Sequence, residues 1–130
     1  MSLVRMDSDG YSYNLIKRAL DVSTLRGKVI SNNMANINTK GYKRFTVSFE
    51  NTLKAMDEQI SKNGFDLEKG LGEIKIEKDK STSMKADGNN VDLDIEKTNQ
   101  AANTLMYNAL ITQANNKLSM TKCVINGGGR

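Results

Sequence analysis

Between Ser12 and Asn36 the apolar residues Leu15, Val22, Leu25 and Val29 recur at spacings of seven, three and four, which places them on one stripe of an α-helix. Ile16, Ala19, Ile30 and Met34 widen that stripe. Arg18 interrupts it near the start and Asn32 and Asn36 degrade it at the end, so it reads as a packing face and not as a strong autonomous coiled-coil seam. A helix of roughly 24 residues would span about 36 Å. A second long helix is predicted to open at Asp92 or Asp94, either of which can cap free amide groups, and to run to about Ile125. Glu96 would sit favourably in its first turn, beside the positive end of the helix dipole. This helix carries two apolar stripes, one of Tyr107, Ile111, Ala114, Leu118 and Ile125, the other of Ala102, Met106, Ala109, Met120 and Cys123. Two stripes on one helix imply more than one packing partner.

The segment between the two helices differs in character. From about Ser48 to Ser61, Phe49, Leu53, Met56 and Ile60 fall at helical spacing, and Asn63-Gly64 marks a stop, which predicts a short amphipathic helix. Glu73-Ile74-Lys75-Ile76-Glu77 then alternates with period two and reads as a strand, with Ser81 to Ala86 as the candidate partner across Asp79-Lys80 in a small hairpin. Asp87-Gly88-Asn89-Asn90 reads as a polar turn. No long-period repeat or low-complexity tract interrupts this order.

At 14.4 kDa, with 38% hydrophobic and 5% aromatic residues and no Trp, the chain holds at most one domain with a small core, so stability is expected to draw on partners. The net charge of +4 raises the question of nucleic acid, but the basic residues are spread along the chain and are not interleaved with aromatics that would stack on bases. Nucleic-acid binding is therefore not expected. Beyond Lys97 the charged residues are Lys117, Lys122 and Arg130 alone. Asn103, Thr112, Gln113, Asn115 and Asn116 stand where a solvated helix would carry charge. Amides and hydroxyls can hydrogen-bond inside an assembly where unpaired charge is disfavoured, so this helix reads as one buried among other helices. A plain two-helix hairpin explains one stripe but not that shortage.

Catalytic chemistry finds little material. There is no His, the usual general base and nitrogen metal ligand, and a single Cys cannot build a zinc site or an intrachain disulfide. Cys123, within an apolar pattern, is expected to be a packed, inert thiol. Asp92-x-Asp94-x-Glu96 at a helix start is better read as capping than as a catalytic pair, and Gly127-Gly128-Gly129 as a frayed terminus. No phosphate loop, dinucleotide fingerprint or nucleophile elbow occurs, so neither an enzyme nor a cofactor is expected. No uncharged apolar run approaches the roughly 20 residues that span a bilayer, and Arg5, Asp7 and Asp9 precede any apolar segment, unlike a signal peptide.

The first helix ends in Asn32-Asn33-Met34-Ala35-Asn36-Ile37-Asn38-Thr39-Lys40-Gly41-Tyr42-Lys43. Short amide side chains bond nearby backbone and tolerate left-handed conformations, and Gly41 supplies a position free of Cβ restriction, so the helix is expected to stop near Asn36. The pattern Ala35-Asn36-x-x-Thr39-x-Gly41-Tyr42-Lys43 at the end of an N-terminal helix closely resembles the signature of bacterial flagellar rod, hook and hook-filament junction proteins. At the other end, Asn89-Asn90-Val91-Asp92 opens a helix through Leu105-Met106-Tyr107-Asn108-Ala109-Leu110 to Ser119-Met120. With the short chain, this looks like the proximal rod subunits of the FlgB type. One departure is visible: many relatives have Pro before the Gly-Tyr pair, where Lys40 stands here, which leaves the turn less pre-organised.

The resemblance implies a structural subunit of the flagellar basal-body proximal rod, joining membrane ring to drive shaft and transmitting torque. It implies as partners copies of itself, other proximal rod proteins, the adaptor between ring and rod, and the flagellar type III export apparatus, through which the chain would leave the cytoplasm uncleaved for the cell envelope. Phe45-x-x-x-Phe49 is similar to the Phe-x-x-x-apolar signal that early flagellar substrates present to the export gate, with i, i+4 spacing on a helix turn; the competing reading, that Phe49 is simply core, carries more weight. The expected fold is mainly α, with residues 1–36 as an N-terminal helical arm, 37–91 as turn, short helix and small β segment, and 92–130 as a C-terminal helix, together one domain. The long helices pack as an antiparallel coiled-coil-like pair. The expected assembly interface comprises Leu15, Val22, Leu25, Val29, Met106, Tyr107, Ile111, Ala114, Leu118 and Ile125. The alternative function is a helical adaptor or export-related binding module that holds one partner without polymerising.

Overall fold

The computed structural model describes residues 2–49, 74–83 and 85–128, with the side chains of the first helix taken from Gly10 onward. Its elements run α1 (Ser2–Ala35), β1 (Phe45–Ser48), β2 (Lys75–Lys78) and α2 (Leu93–Ile125). The chain is mainly helical, and its two long helices pack antiparallel. The direction follows from two cross-links: Asn33 near the end of α1 meets Glu96 at the start of α2, whereas Ser23 meets Asn103 further along.

Both helix ends follow local chemistry. Asp92 is the N-cap of α2, in extended conformation, with its side chain accepting hydrogen bonds from the amides of Asp94 at 2.9 Å and Ile95 at 3.3 Å. Of the two candidate caps, Asp92 therefore takes the position. α2 ends at Ile125, and the amides of Gly127 and Gly128 bond back to the carbonyls of Val124 and Cys123, a closed turn where a frayed end was expected. α1 begins at Ser2, within the helical arm expected over residues 1–36, although its apolar stripe is read only from Leu15 onward.

The strand at Lys75–Lys78 exists, but its partner is not Ser81 to Ala86. It pairs antiparallel with β1, in the register Phe45↔Lys78, Thr46↔Glu77, Val47↔Ile76 and Ser48↔Lys75. Phe45, Val47 and Phe49 alternate onto one face, and an apolar period-two run can be covered by α1, which Ser81 to Ala86 cannot offer. Ser48 closes β1, so the predicted middle helix does not begin there, and the rest of that prediction lies outside the described residues.

The core is the cluster Val22, Val29, Val47 and Phe49, with Leu15, Ala19, Leu25, Phe45 and Ile74 packed against it. The apolar stripe of α1 thus meets the inner face of β1, and α2 contributes no side chain to this cluster. Instead, the less exposed positions of α2 are Glu96, Asn99, Asn103, Leu110, Ala114 and Lys117, whose spacings of three, four, seven, four and three trace a heptad-like seam that is mostly polar. At its centre Ser23 donates to Asn103 Oδ1 at 3.0 Å and Asn103 Nδ2 donates to the Ser23 carbonyl at 2.9 Å.

Candidate assembly site: an asparagine-locked turn and an exposed apolar helix

The turn after α1 is built by successive short-range bonds. The Asn36 amide bonds the carbonyls of Asn32 and Asn33, Asn36 Nδ2 donates to the Asn32 carbonyl, Thr39 N–H donates to the Asn36 carbonyl, and Tyr42 N–H donates to the Thr39 carbonyl. Thr39 Oγ1 donates to Asn36 Oδ1 at 3.2 Å. Gly41 adopts φ 70°, a left-handed conformation that costs a side chain about 1 kcal/mol or more, and its amide bonds the Asp87 carbonyl at 2.9 Å.

What fixes this turn comes from far along the chain. Asn89, fully buried, donates through Nδ2 to the carbonyls of Asn36, Ile37 and Thr39 at 2.8, 2.9 and 2.9 Å, while its Oδ1 accepts from the Val91 amide at 2.8 Å. Acceptors on one side and a donor on the other determine the orientation of the amide. This clamp does for the turn what a Pro at Lys40 would do by restricting the backbone. Lys43, the last motif residue, reaches the Ser81 carbonyl at 3.5 Å.

Asn33 is equally buried and equally occupied. Its Nδ2 donates to the Phe45 carbonyl at 2.8 Å and to Glu96 Oε2 at 3.4 Å, and its Oδ1 accepts from the Phe45 amide at 2.9 Å and the Tyr42 hydroxyl at 3.1 Å. Glu96, 0% exposed, also accepts from Arg44 Nε at 2.9 Å, and Arg44 reaches Asp79 at 3.5 Å. The helix-dipole role expected for Glu96 is therefore secondary: it is the internal counter-charge of Arg44. Asn90 completes the joint, accepting from the Arg44 amide at 2.7 Å and donating to the Asp79 carbonyl at 3.2 Å. Burial, and then the nearby Glu96 charge, raise the Tyr42 hydroxyl above its ordinary pKa. The Ser81 amide, followed by the Ser81 hydroxyl and Arg44, holds Asp79 below the usual carboxylate value. One polar joint thus ties α1, the turn, both strands and the start of α2.

The expected interface residues divide into two groups. Val22 and Val29 are buried in the chain's own core, with Leu15 and Leu25 packed against them, so these four already have partners. Ala114 lies half-covered on the polar seam. Met106, Tyr107, Ile111, Leu118 and Ile125 are 51, 40, 37, 51 and 77% exposed, and Leu105, Met120 and Val124 are exposed further still, at 72, 66 and 79%. Cys123 is exposed too, contrary to the packed thiol expected, because the stripe it belongs to faces away from α1. Phe49 is 7% exposed and Phe45 packs beside it, on a strand and not on a helix turn; even spacing puts both rings on one face of a strand as well. A cleft of about 300 Å³ lies between α1, β1 and α2, lined in part by Ile30, Val47, Ala102 and Met106. Among the described residues no group of three His, Cys, Asp or Glu side chains could hold a metal ion, and no helix is long and apolar enough to cross a membrane.

Asn89 and Glu96 were missed as structural residues from sequence, since a turn residue and a first-turn acid have good local explanations; the repeated Asn in both signature segments was the available signal.

Comparison with known proteins falls on the same region. The family model described as flagella basal body rod protein matches residues 24–43, the end of α1 and the locked turn. The chain is 36% identical over 118 residues to the flagellar basal body rod protein FlgB of Bacillus subtilis strain 168, covering 87% of this chain and 92% of that protein. It is 37% identical over 113 residues to FlgB of Borrelia hermsii, covering 74% of this chain and 82% of that protein. A shorter likeness, 36% over 76 residues, reaches the rod protein FlgG of Buchnera aphidicola but spans 29% of it. On the length and identity of these matches, the chain belongs to the FlgB family of flagellar basal body rod proteins.

Proposed function

We propose that this chain is a structural subunit of the proximal rod of the bacterial flagellar basal body, assembling through α2 and transmitting torque from the membrane ring to the distal rod and hook. The observation that carries this reading is the inversion of α2: its seam with α1 is mostly polar, it adds nothing to the hydrophobic core cluster, and its large apolar residues other than Leu110 are exposed. Burying one such side chain fully is worth about 1.5–3 kcal/mol, so an exposed row of them is a surface kept for other helices. The scarcity of charge on the same helix supports that assignment, since a solvated helix of this length would carry more than Lys117 and Lys122 beyond Lys97. The partners are copies of itself, other proximal rod proteins and the adaptor between ring and rod, on the periplasmic side of the cell envelope. The chain reaches that position through the flagellar export apparatus.

The test is complementation of a strain lacking its own copy, with basal bodies isolated and probed for the chain. Leu118→Asp, on an exposed position, leaves the isolated fold intact but places a charge in the helix contact, at a cost of several kcal/mol, and abolishes incorporation and motility. Normal rods built from that variant would refute α2 as the assembly surface.

A further inference from the structure

The two edges of the small sheet are closed to different degrees. β1 presents its outer edge to α1: Asn33 donates to the Phe45 carbonyl at 2.8 Å and accepts from the Phe45 amide at 2.9 Å, and Arg26 donates to the Val47 carbonyl at 3.3 Å. One buried amide thus stands in for a neighbouring strand. β2 has no such cover. All four of its residues are exposed, and among the described residues β1 is its one strand neighbour. Because Phe45 and Val47 turn main-chain groups toward α1, the ladder joins Thr46 and Ser48 to Glu77 and Lys75, and the main-chain groups of Ile76 and Lys78 point away from β1. The Ile76 side chain is itself 51% exposed. Lysines on an edge commonly keep other strands away, but Glu77 between Lys75 and Lys78 makes this edge complementary to itself.

We propose that β2 of one copy pairs antiparallel with β2 of a second copy, with Ile76 opposite Ile76 on a two-fold axis and Lys75 opposite Glu77 on either side of it. Charge selects the register. Centring the pair on Lys75 or on Glu77 opposes two like charges at the axis, and parallel pairing in register sets each charge beside its own kind. Centring on Ile76 brings each Lys75 within about 4.5 Å, Cα to Cα, of a Glu77 and covers both half-exposed isoleucines. The resulting order is β1-β2-β2-β1, with the two β1 strands about 14 Å apart, so the α1 helices that cover them stand clear of one another. A two-fold contact closes on itself, so it seals the edge against further strands and cannot extend into a rod. It is a pair formed outside the rod and separate from the exposed surface of α2. A strand this short buries little against the roughly 1,200–2,000 Å² of a stable dimer, so the pair forms at about millimolar chain and dissociates at about micromolar.

The test uses the purified chain with Cys123→Ser, which removes its one thiol, and Leu118→Asp, which disables the α2 surface and so keeps the outcome independent of the rod-subunit reading. At millimolar concentration with oxidised glutathione, Ile76→Cys yields a covalent dimer. Lys75→Cys alone and Glu77→Cys alone yield roughly tenfold less, while their equimolar mixture yields the mixed dimer, because only that pair is opposed. Adding Lys75→Glu to Ile76→Cys lowers the yield roughly tenfold, and further adding Glu77→Lys restores it. Sedimentation equilibrium shows dimer and monomer for the chain with Ile76 in place and monomer throughout for Ile76→Pro, whose lost N–H takes no part in the β1 ladder. Circular dichroism verifies that each variant is folded. Dimer yields equal for Lys75→Cys alone and for the mixture, indifference to Lys75→Glu, or a monomer at millimolar concentration would overturn the strand pair.

Discussion

Replacing Asn89 by Ala should unlock the turn that carries the family signature. The side chain satisfies the carbonyls of Asn36, Ile37 and Thr39 and the amide of Val91, and the residue is fully buried. Each of those carbonyls keeps another partner: Asn36 accepts from the Thr39 amide, Thr39 from the Tyr42 amide, and Ile37 from Lys85 Nζ at 3.5 Å. The Val91 amide, in a residue 1% exposed, has no such second bond among those the structure shows, so it takes the full penalty of an unsatisfied buried donor, about 1–3 kcal/mol. Loss of the remaining bonds adds about 1 kcal/mol each. Because the amide has two N–H hydrogens to share among the three carbonyls, the total is about 3–5 kcal/mol, a large share of the 5–15 kcal/mol typical of a domain. With a urea slope of about 2 kcal/mol per molar, the unfolding midpoint followed by circular dichroism should drop by about 1.5–2.5 M. Asn89→Asp separates hydrogen bonding from volume. It fills the same space but turns a carboxylate toward three carbonyl oxygens, so it should be at least as damaging; a cavity alone would leave it near wild type. A midpoint shift under about 0.3 M for Asn89→Ala, or a near-neutral Asn89→Asp, would refute the clamp.

Gly41→Ala should cost about 1 kcal/mol through backbone conformation, since a Cβ at that position meets no atom within 4 Å, and Gly41→Asn should cost less; equal midpoints for glycine and alanine would show that φ 70° is not required. The raised pKa of Tyr42 means that the folded state holds the phenol proton more tightly than the unfolded chain, so stability is complete below the ordinary value of 10.0 and falls as pH rises through the raised one. Tyr42→Phe should abolish that alkaline component in denaturation curves taken from pH 7 to 11, and an identical pH dependence in both proteins would contradict the assignment. Phe49→Ala should destabilise the fold by about 3–5 kcal/mol as a core truncation. Under the packing reading it leaves secretion of the chain from a rod-deficient strain unchanged, even combined with Phe45→Ala; a fall in secretion assigns these residues an export role as well.

The two helices, the Asp92 cap and the turn at Ala35-Asn36 were legible in the sequence because each depends on neighbours within a few residues: apolar spacing sets a helix face, a carboxylate caps the amides two and three positions on, and glycine permits a left-handed turn. The signature residues pointed to the family for the same reason. Partnership was not legible. Lys75–Lys78 announced itself as a strand, but nothing in its alternation distinguished Phe45–Ser48 from Ser81 to Ala86 as the mate, since that choice depends on which strand α1 can cover. The stripe Leu15, Val22, Leu25 and Val29 was visible, yet only the tertiary structure assigned it to β1 and left the apolar residues of α2 outside. Asn33, Asn89 and Glu96 each looked like local capping or turn residues, and became a buried joint only because contacts across 12 to 63 residues surrounded them with matching donors and acceptors. Periodicity determines which face of an element is apolar; what covers that face is a long-range outcome of packing, and a buried amide is stable only where the whole fold completes its hydrogen bonds.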